Sequence, residues 1–179
     1  MTSKQIISGW VDNVLRERQQ NRVFPNVFLG HFEADILEIT KAGYSYEYEV
    51  KVSRADFKQD LLKRKQTLGG LNVLKHDLLK NGNHVNYFSY VVPEGLISVD
   101  EVPEFAGLIY ATSHEVRFSD IKGTYIKHRL FTKTIKSPVR LSKDKFAPES
   151  LMKCYESTYY RFHTKRESEK EYVSLNTQY

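Results

Sequence analysis

A single cysteine, Cys154, is the only thiol in this chain of 179 residues. That excludes an internal disulfide and any zinc site built from several cysteines. No stretch approaches the roughly 18 consecutive apolar residues of a membrane-spanning helix, so no membrane partner is expected. The opening residues, MTSKQIISGW, lack the charged-then-apolar pattern of a secretory signal, and a cytoplasmic location is expected. There is no internal repeat, no low-complexity tract and no glycine-rich phosphate loop.

What is present is a globular composition, 40% hydrophobic and 13% aromatic. At this length it supports a proper core, in one domain or one domain with an appendage. The net charge of +5 is unevenly spread. Residues 1–121 hold 14 Lys/Arg against 16 Asp/Glu, a net of −2, and residues 122–179 hold 13 against 6, a net of +7. An acidic half joined to a basic half suits a polyanionic substrate. A basic surface without a ligand is the alternative.

The chemistry concentrates in residues 35–60, DILEITKAGYSYEYEVKVSRADFKQD. Two short runs rich in β-branched and aromatic residues flank Lys41-Ala42-Gly43, which reads as a hairpin. Counting back from that turn puts Asp35 opposite the neighbourhood of Val50. Residues two apart on a strand share a face, so Glu49 and Lys51 project together, roughly 7 Å apart along the strand. Asp35 then lies across the ladder from both. Two carboxylates with a backbone carbonyl make a hard oxygen site of the kind that holds Mg²⁺, and a lysine beside it can orient water or neutralise a phosphate. The same residues on a solvated face would form only a cross-strand salt bridge.

Asp35, then Glu49-Val50-Lys51 fourteen residues later, then directly a helix, resembles the PD-(D/E)XK nuclease superfamily. The segment EVKVSRADFKQD is similar to its MmcB-like branch, linked with DNA repair and found also in phage and mobile-element proteins. There an E-x-K strand leads into a helix that opens with a Ser and an Asp-Phe pair, here Ser53, Asp56 and Phe57. The segment YFSYVVPEGLI with VPEFAGLIYA extends the similarity over roughly residues 5–115; Ala34 stands where the superfamily's name has proline. The resemblance implies a restriction-endonuclease-like α/β fold, a mixed β-sheet flanked by helices. It implies a Mg²⁺- or Mn²⁺-dependent nuclease acting on nucleic acid, with DNA the expected partner. Asp35, Glu49 and the Val50 carbonyl would hold the metal, and Lys51 would act on water or phosphate. Glu33, Ser53 and Asp56 are additional residues of interest beside them. A non-enzymatic nucleic-acid-binding protein on the same fold is the rival reading.

Around this stretch, residues 4–20 carry apolar positions at helical spacing, with Thr2 or Ser3 as cap. Asp12 and Glu17 are expected on its solvated face. Residues 21–32 read as a loop and a short strand, with His31 a loop side chain. Ser53 and Asp56 have the form of a capping box. The helix they open is expected to run through Phe57, Leu61, Leu62 and Leu68 to Gly69-Gly70, with Lys63, Arg64 and Lys65 beside it as phosphate contacts. A further helix is expected over 71–80, where Lys75 and His76 rank only as backbone-binding groups. Strands are expected at 87–92 and 106–112, the first parallel to the E-x-K strand after the helical crossover. Residues 115–118 and 124–136 read as a ribbon turning at Lys122-Gly123. A helix follows from Pro148, carrying Tyr155, Tyr159, Tyr160 and Phe162 as packing residues and Arg161, Lys165 and Arg166 as nucleic-acid contacts. The tail from Val173 is expected to fray. The division expected is a nuclease-like core over 1–115 and, over 116–179, a basic β-ribbon and C-terminal helix packed on the core, the helix forming a basic appendage.

Overall fold

The structure, a computed structural model, describes residues 1–29, 32–66, 72–81, 85–121 and 123–176, with only the backbone described at 65–66, 120 and 165–176. The chain divides into two compact units, Met1–Lys145 and Phe146–Tyr179.

The first unit is α/β. Helix α1 (Ser3–Glu17) starts at Thr2, whose hydroxyl accepts from the Gln5 N–H while the Gln5 side chain accepts from the Thr2 N–H, a reciprocal capping box. Strands β1 (Arg22–Leu29), β2 (Phe32–Ile39) and β3 (Ser45–Val50) form an antiparallel meander. Gly43, at φ +86, supplies the left-handed residue that the β2–β3 turn needs. Helix α2 (Arg54–Leu61), the small strands β4 (Arg64–Gln66) and β5 (Asn72–Leu74), and the short helix α3 (Lys75–Lys80) form the crossover. Strand β6 (Tyr87–Pro93) then returns parallel to β3. Strands β7 (Gly107–Asp120) and β8 (Gly123–Lys136) complete a six-stranded mixed sheet of order β1-β2-β3-β6-β7-β8.

Alternation along the strands assigns the two faces. Ile36, Tyr48, Val50, Val91 and Ile109 pack against Ile6, Trp10 and Val14 of α1. On the other face Tyr90 meets Phe57 of α2 edge-on at 5.0 Å, and Phe88 faces His76 of α3. Burial of these side chains stabilises the fold by about 1.5–3 kcal/mol each. Glu38, buried on the α1 face, is held by Trp10 Nε1 at 3.1 Å and Asn21 Nδ2 at 2.7 Å.

Several expectations are corrected. Residues 22–29 are a full edge strand, where Pro25 is tolerated because an edge residue need not donate to a neighbour. Helix α2 stops at Leu61 rather than running to Leu68, and residues 72–74 are strand rather than helix, since β4 and β5 pair with each other. Leu68, Gly69, Gly70 and Leu71 lie outside the described residues, as do His31 and Lys122. Position 115 falls within β7, which continues from the sheet into the ribbon.

The second unit contains α4 (Pro148–Asn176), which includes residues 173–176 expected to fray. Its Tyr155, Tyr159, Tyr160 and Phe162, expected as packing residues, are exposed on the helix, with the Tyr159 ring 4.3 Å from that of His163. The helix is also not the basic element. Residues 146–179 hold five Lys/Arg and five Asp/Glu, a net of zero. The whole excess of +7 lies in residues 122–145, eight basic against one acidic.

Candidate functional site

Register brings the E-x-K strand and Asp35 together. Ile36 pairs with Tyr48 and Leu37 with Glu47, so one further step sets Asp35 across from Glu49 on the same face. That is one residue from the position counted in the sequence. Asp35 Oδ2 accepts the Val50 N–H at 2.8 Å, fastening the carboxylate to the end of β3. The Lys51 N–H donates to the Val91 carbonyl at 3.1 Å, which holds the strand's exit against β6. Alternation then points Glu47, Glu49 and Lys51 to the face covered by α2 and α3.

There they meet Asp56 and, beyond the residues assigned to the site, Asp60, Lys75, His76 and Tyr90. Lys51 Nζ donates to Glu49 Oε1 at 2.7 Å and stands 3.4 Å from Asp60 and 3.6 Å from Asp56. Lys75 Nζ, from α3, donates to the other Glu49 oxygen at 2.6 Å and lies 3.0 Å from Glu47. The Tyr90 hydroxyl donates to Asp60 Oδ2 at 2.8 Å and is itself 2.8 Å from His76 Nε2. Asp60 Oδ1 is buried without a hydrogen-bond partner among the described residues. Four inner carboxylates, Asp35, Glu47, Glu49 and Asp60, thus face two ammonium groups, and Asp56 adds a fifth at the rim.

Burial and the charges of the cluster together set the protonation behaviour. Burial, then the Glu49 charge, push Asp35 up to about 6, against the Val50 hydrogen bond and the two lysines. Burial also raises Glu47 despite Lys75. Burial would raise Asp60 too, but close approach of His76, the charges of Lys75 and Lys51 and the Tyr90 hydroxyl hold it well below the carboxylate range. His76 stands 3.8 Å from Asp60, too long for a hydrogen bond, so Tyr90 is the firmer donor. Burial disfavours both lysine charges, yet the surrounding carboxylates win and keep Lys51 and Lys75 protonated.

The other residues singled out in the sequence fall as follows. Ser53 caps α2, its hydroxyl accepting from the Asp56 N–H at 3.2 Å. Asp56 does not complete the capping box; its carboxylate turns to Lys51 instead. Glu33 is exposed and makes no ion pair with the cluster among the described residues. Lys63 lies over the Phe32 ring at 5.8 Å, and Arg64 and Arg161 are exposed. The side chains of Lys65, Lys165 and Arg166 are outside the described set. Lys75 and His76, ranked as backbone-binding groups, are instead built into the buried cluster. Glu47 was legible as the first acid of an E-x-E-x-K alternation. Lys75, His76 and Tyr90 carried no local signal, since only the crossover brings them back to β3.

Among the described residues no three of His, Cys, Asp and Glu group as metal ligands. The donor set that fits a hard cation is Asp35, Glu49 and the Val50 carbonyl, all oxygen. Asp35 uses one oxygen on Val50, whereas both Glu49 oxygens are held by ammonium groups.

No family model matches this sequence, and no curated protein does. Among solved structures, the chain is similar to a protein of unknown function from Silicibacter pomeroyi, with a TM-score of 0.58 and 15% identity over 94% of each chain. At that identity the likeness is one of fold.

Proposed function

We propose that this protein is a metal-dependent nuclease of the PD-(D/E)XK kind, on a restriction-endonuclease-like fold, hydrolysing phosphodiester bonds of nucleic acid, with DNA as its substrate. The observation that carries the reading is the meeting of Asp35, Glu49 and Lys51 on one face at one end of β3. Asp35, Glu49 and the Val50 carbonyl would hold Mg²⁺ or Mn²⁺. When bound, such an ion polarises a phosphoryl oxygen and lowers the pKa of its water. Lys51 orients the attacking water or neutralises charge on the phosphate. Asp60 and Asp56 position the Lys51 ammonium, and the Val50 N–H fixes the Asp35 carboxylate. Water adds to phosphorus, the P–O ester bond breaks, and the leaving oxygen takes a proton.

A second reading, a nucleic-acid-binding protein without catalysis, draws on a specific observation: both Glu49 oxygens are already neutralised by lysines. The test is cleavage of supercoiled and branched DNA in Mg²⁺ or Mn²⁺ by the wild type and Asp35→Asn. Cleavage by the wild type that Asp35→Asn abolishes, together with weaker metal binding, supports the nuclease. Equal cutting by both would move the chemistry elsewhere. Binding of DNA without cleavage of any DNA or RNA would establish the second reading.

A further inference from the structure

Lys75 is buried at 1% exposure, on a helix of six residues that begins at Lys75 itself and has no side-chain cap. A buried ammonium persists only where anions and hydrogen bonds replace its water. Here Glu49 accepts from it at 2.6 Å, Glu47 lies 3.0 Å away, and the Phe88 ring lies beneath at 5.2 Å. Its N–H donates to the Lys63 carbonyl at 2.9 Å, tying the start of α3 to the chain leading into β4. Glu49 therefore has one oxygen on Lys51 and the other on Lys75. A divalent ion at Glu49 would have to share an oxygen with one of these ammonium groups, a like charge in direct contact, or displace it. Lys51 is shared with Asp60 and Asp56 and issues from the sheet, whereas Lys75 comes from a short insert outside it.

We propose that Lys75 is the resident cation of this site: it neutralises Glu47 and Glu49 in the metal-free protein, and metal loading displaces its ammonium from Glu49. This rests on the reading that Glu49 is a metal ligand. Lys75 is a positioning residue, holding the carboxylates in place and setting the threshold for the ion. Without it the same carboxylates face an incoming cation with one fewer like charge to repel it.

The experiment is calorimetric titration of Mn²⁺ into the full chain, with thermal melts in its presence and absence. Wild type is compared with Lys75→Met and with the charge-balanced double variant Glu47→Gln/Lys75→Gln. The expected result is Mn²⁺ binding at least tenfold tighter in both variants, and a larger gain in melting temperature from Mn²⁺ than in the wild type. The gain should vanish when Asp35→Asn is added. A lysine with a merely structural role predicts lost stability that Mn²⁺ does not restore. Unchanged or weaker Mn²⁺ binding in the folded variants overturns the proposal, as does failure of Mn²⁺ to rescue folding if neither variant folds without it. Cleavage assays separate the two readings. Tighter Mn²⁺ binding without DNA cleavage keeps the resident cation and removes the nuclease. Wild-type cleavage with unchanged variant affinity does the reverse.

Discussion

At the scale of single residues, Lys51 is a buried cation shared among Glu49, Asp60 and Asp56, so it is no pair on a solvated face. Lys51→Met keeps most of the apolar stem but removes the charge. If Lys51 acts on water or phosphate, cleavage should fall by about a hundredfold or more. Metal affinity should hold or improve, because a cation beside the ligands is gone. Equal cutting rates in single-turnover assays would reject this role. Asp35 offers a second test in metal-free protein. Its folded pKa of about 6 is raised, so the folded state binds its proton more tightly than the unfolded chain does. That stabilising contribution is full below about pH 4, the unfolded value, and is lost as pH rises through about 6. Asp35→Asn still accepts the Val50 N–H but cannot ionise. Its stability relative to wild type should rise across that window, by on the order of 1–3 kcal/mol above pH 7. Urea denaturation from pH 4 to 8 in chelator checks it, and parallel curves would discard it. Asp35, Glu49 and Lys51 were legible because strand period and hairpin count act locally. Lys75 was not, because its partnership depends on how the crossover returns.

At the scale of elements, the hairpin was readable from its alternation and from Gly43, whose positive φ only glycine adopts cheaply. The start of α2 was equally readable from Ser53. The crossover after it was misread for a physical reason. Leu71, Leu74 and Leu78 recur at helical spacing, yet residues 72–74 pair with 64–66 in a ribbon too short for alternation to show. Helix α2 carries both Asp56 and Asp60 to Lys51, so its cap bears on the site. Ser53→Ala should destabilise the protein by about 1 kcal/mol, within a range of 0.5–2. It should also lower cleavage, since the start of the helix that presents Asp56 loosens. A melting temperature and cleavage rate both equal to wild type would show that the cap does neither.

For the whole molecule, the question is where a polyanion would lie. Summing charge by sequence halves pointed to the C-terminal helix, but the balance within residues 146–179 is zero. The division at Lys145 moves the excess onto β8 and the segment after it. A balanced helix screens its own field, whereas eight cations with one acid in residues 122–145 leave a net potential. Lys127 and Lys133 are exposed on β8 an even number of residues apart, so they share a face of the strand. If that face tracks a nucleic-acid backbone, each phosphate contact releases counterions and contributes about 0.9 to the slope of log affinity against log salt. Lys127→Gln/Lys133→Gln in the full chain should therefore weaken binding to all DNA sequences alike and flatten the slope by up to about 2. Lys153→Gln/Arg161→Gln on α4 removes the same charge and should change the slope less. Fluorescence anisotropy with a labelled duplex over a range of salt measures both. The reverse ranking would return the polyanion to the helix.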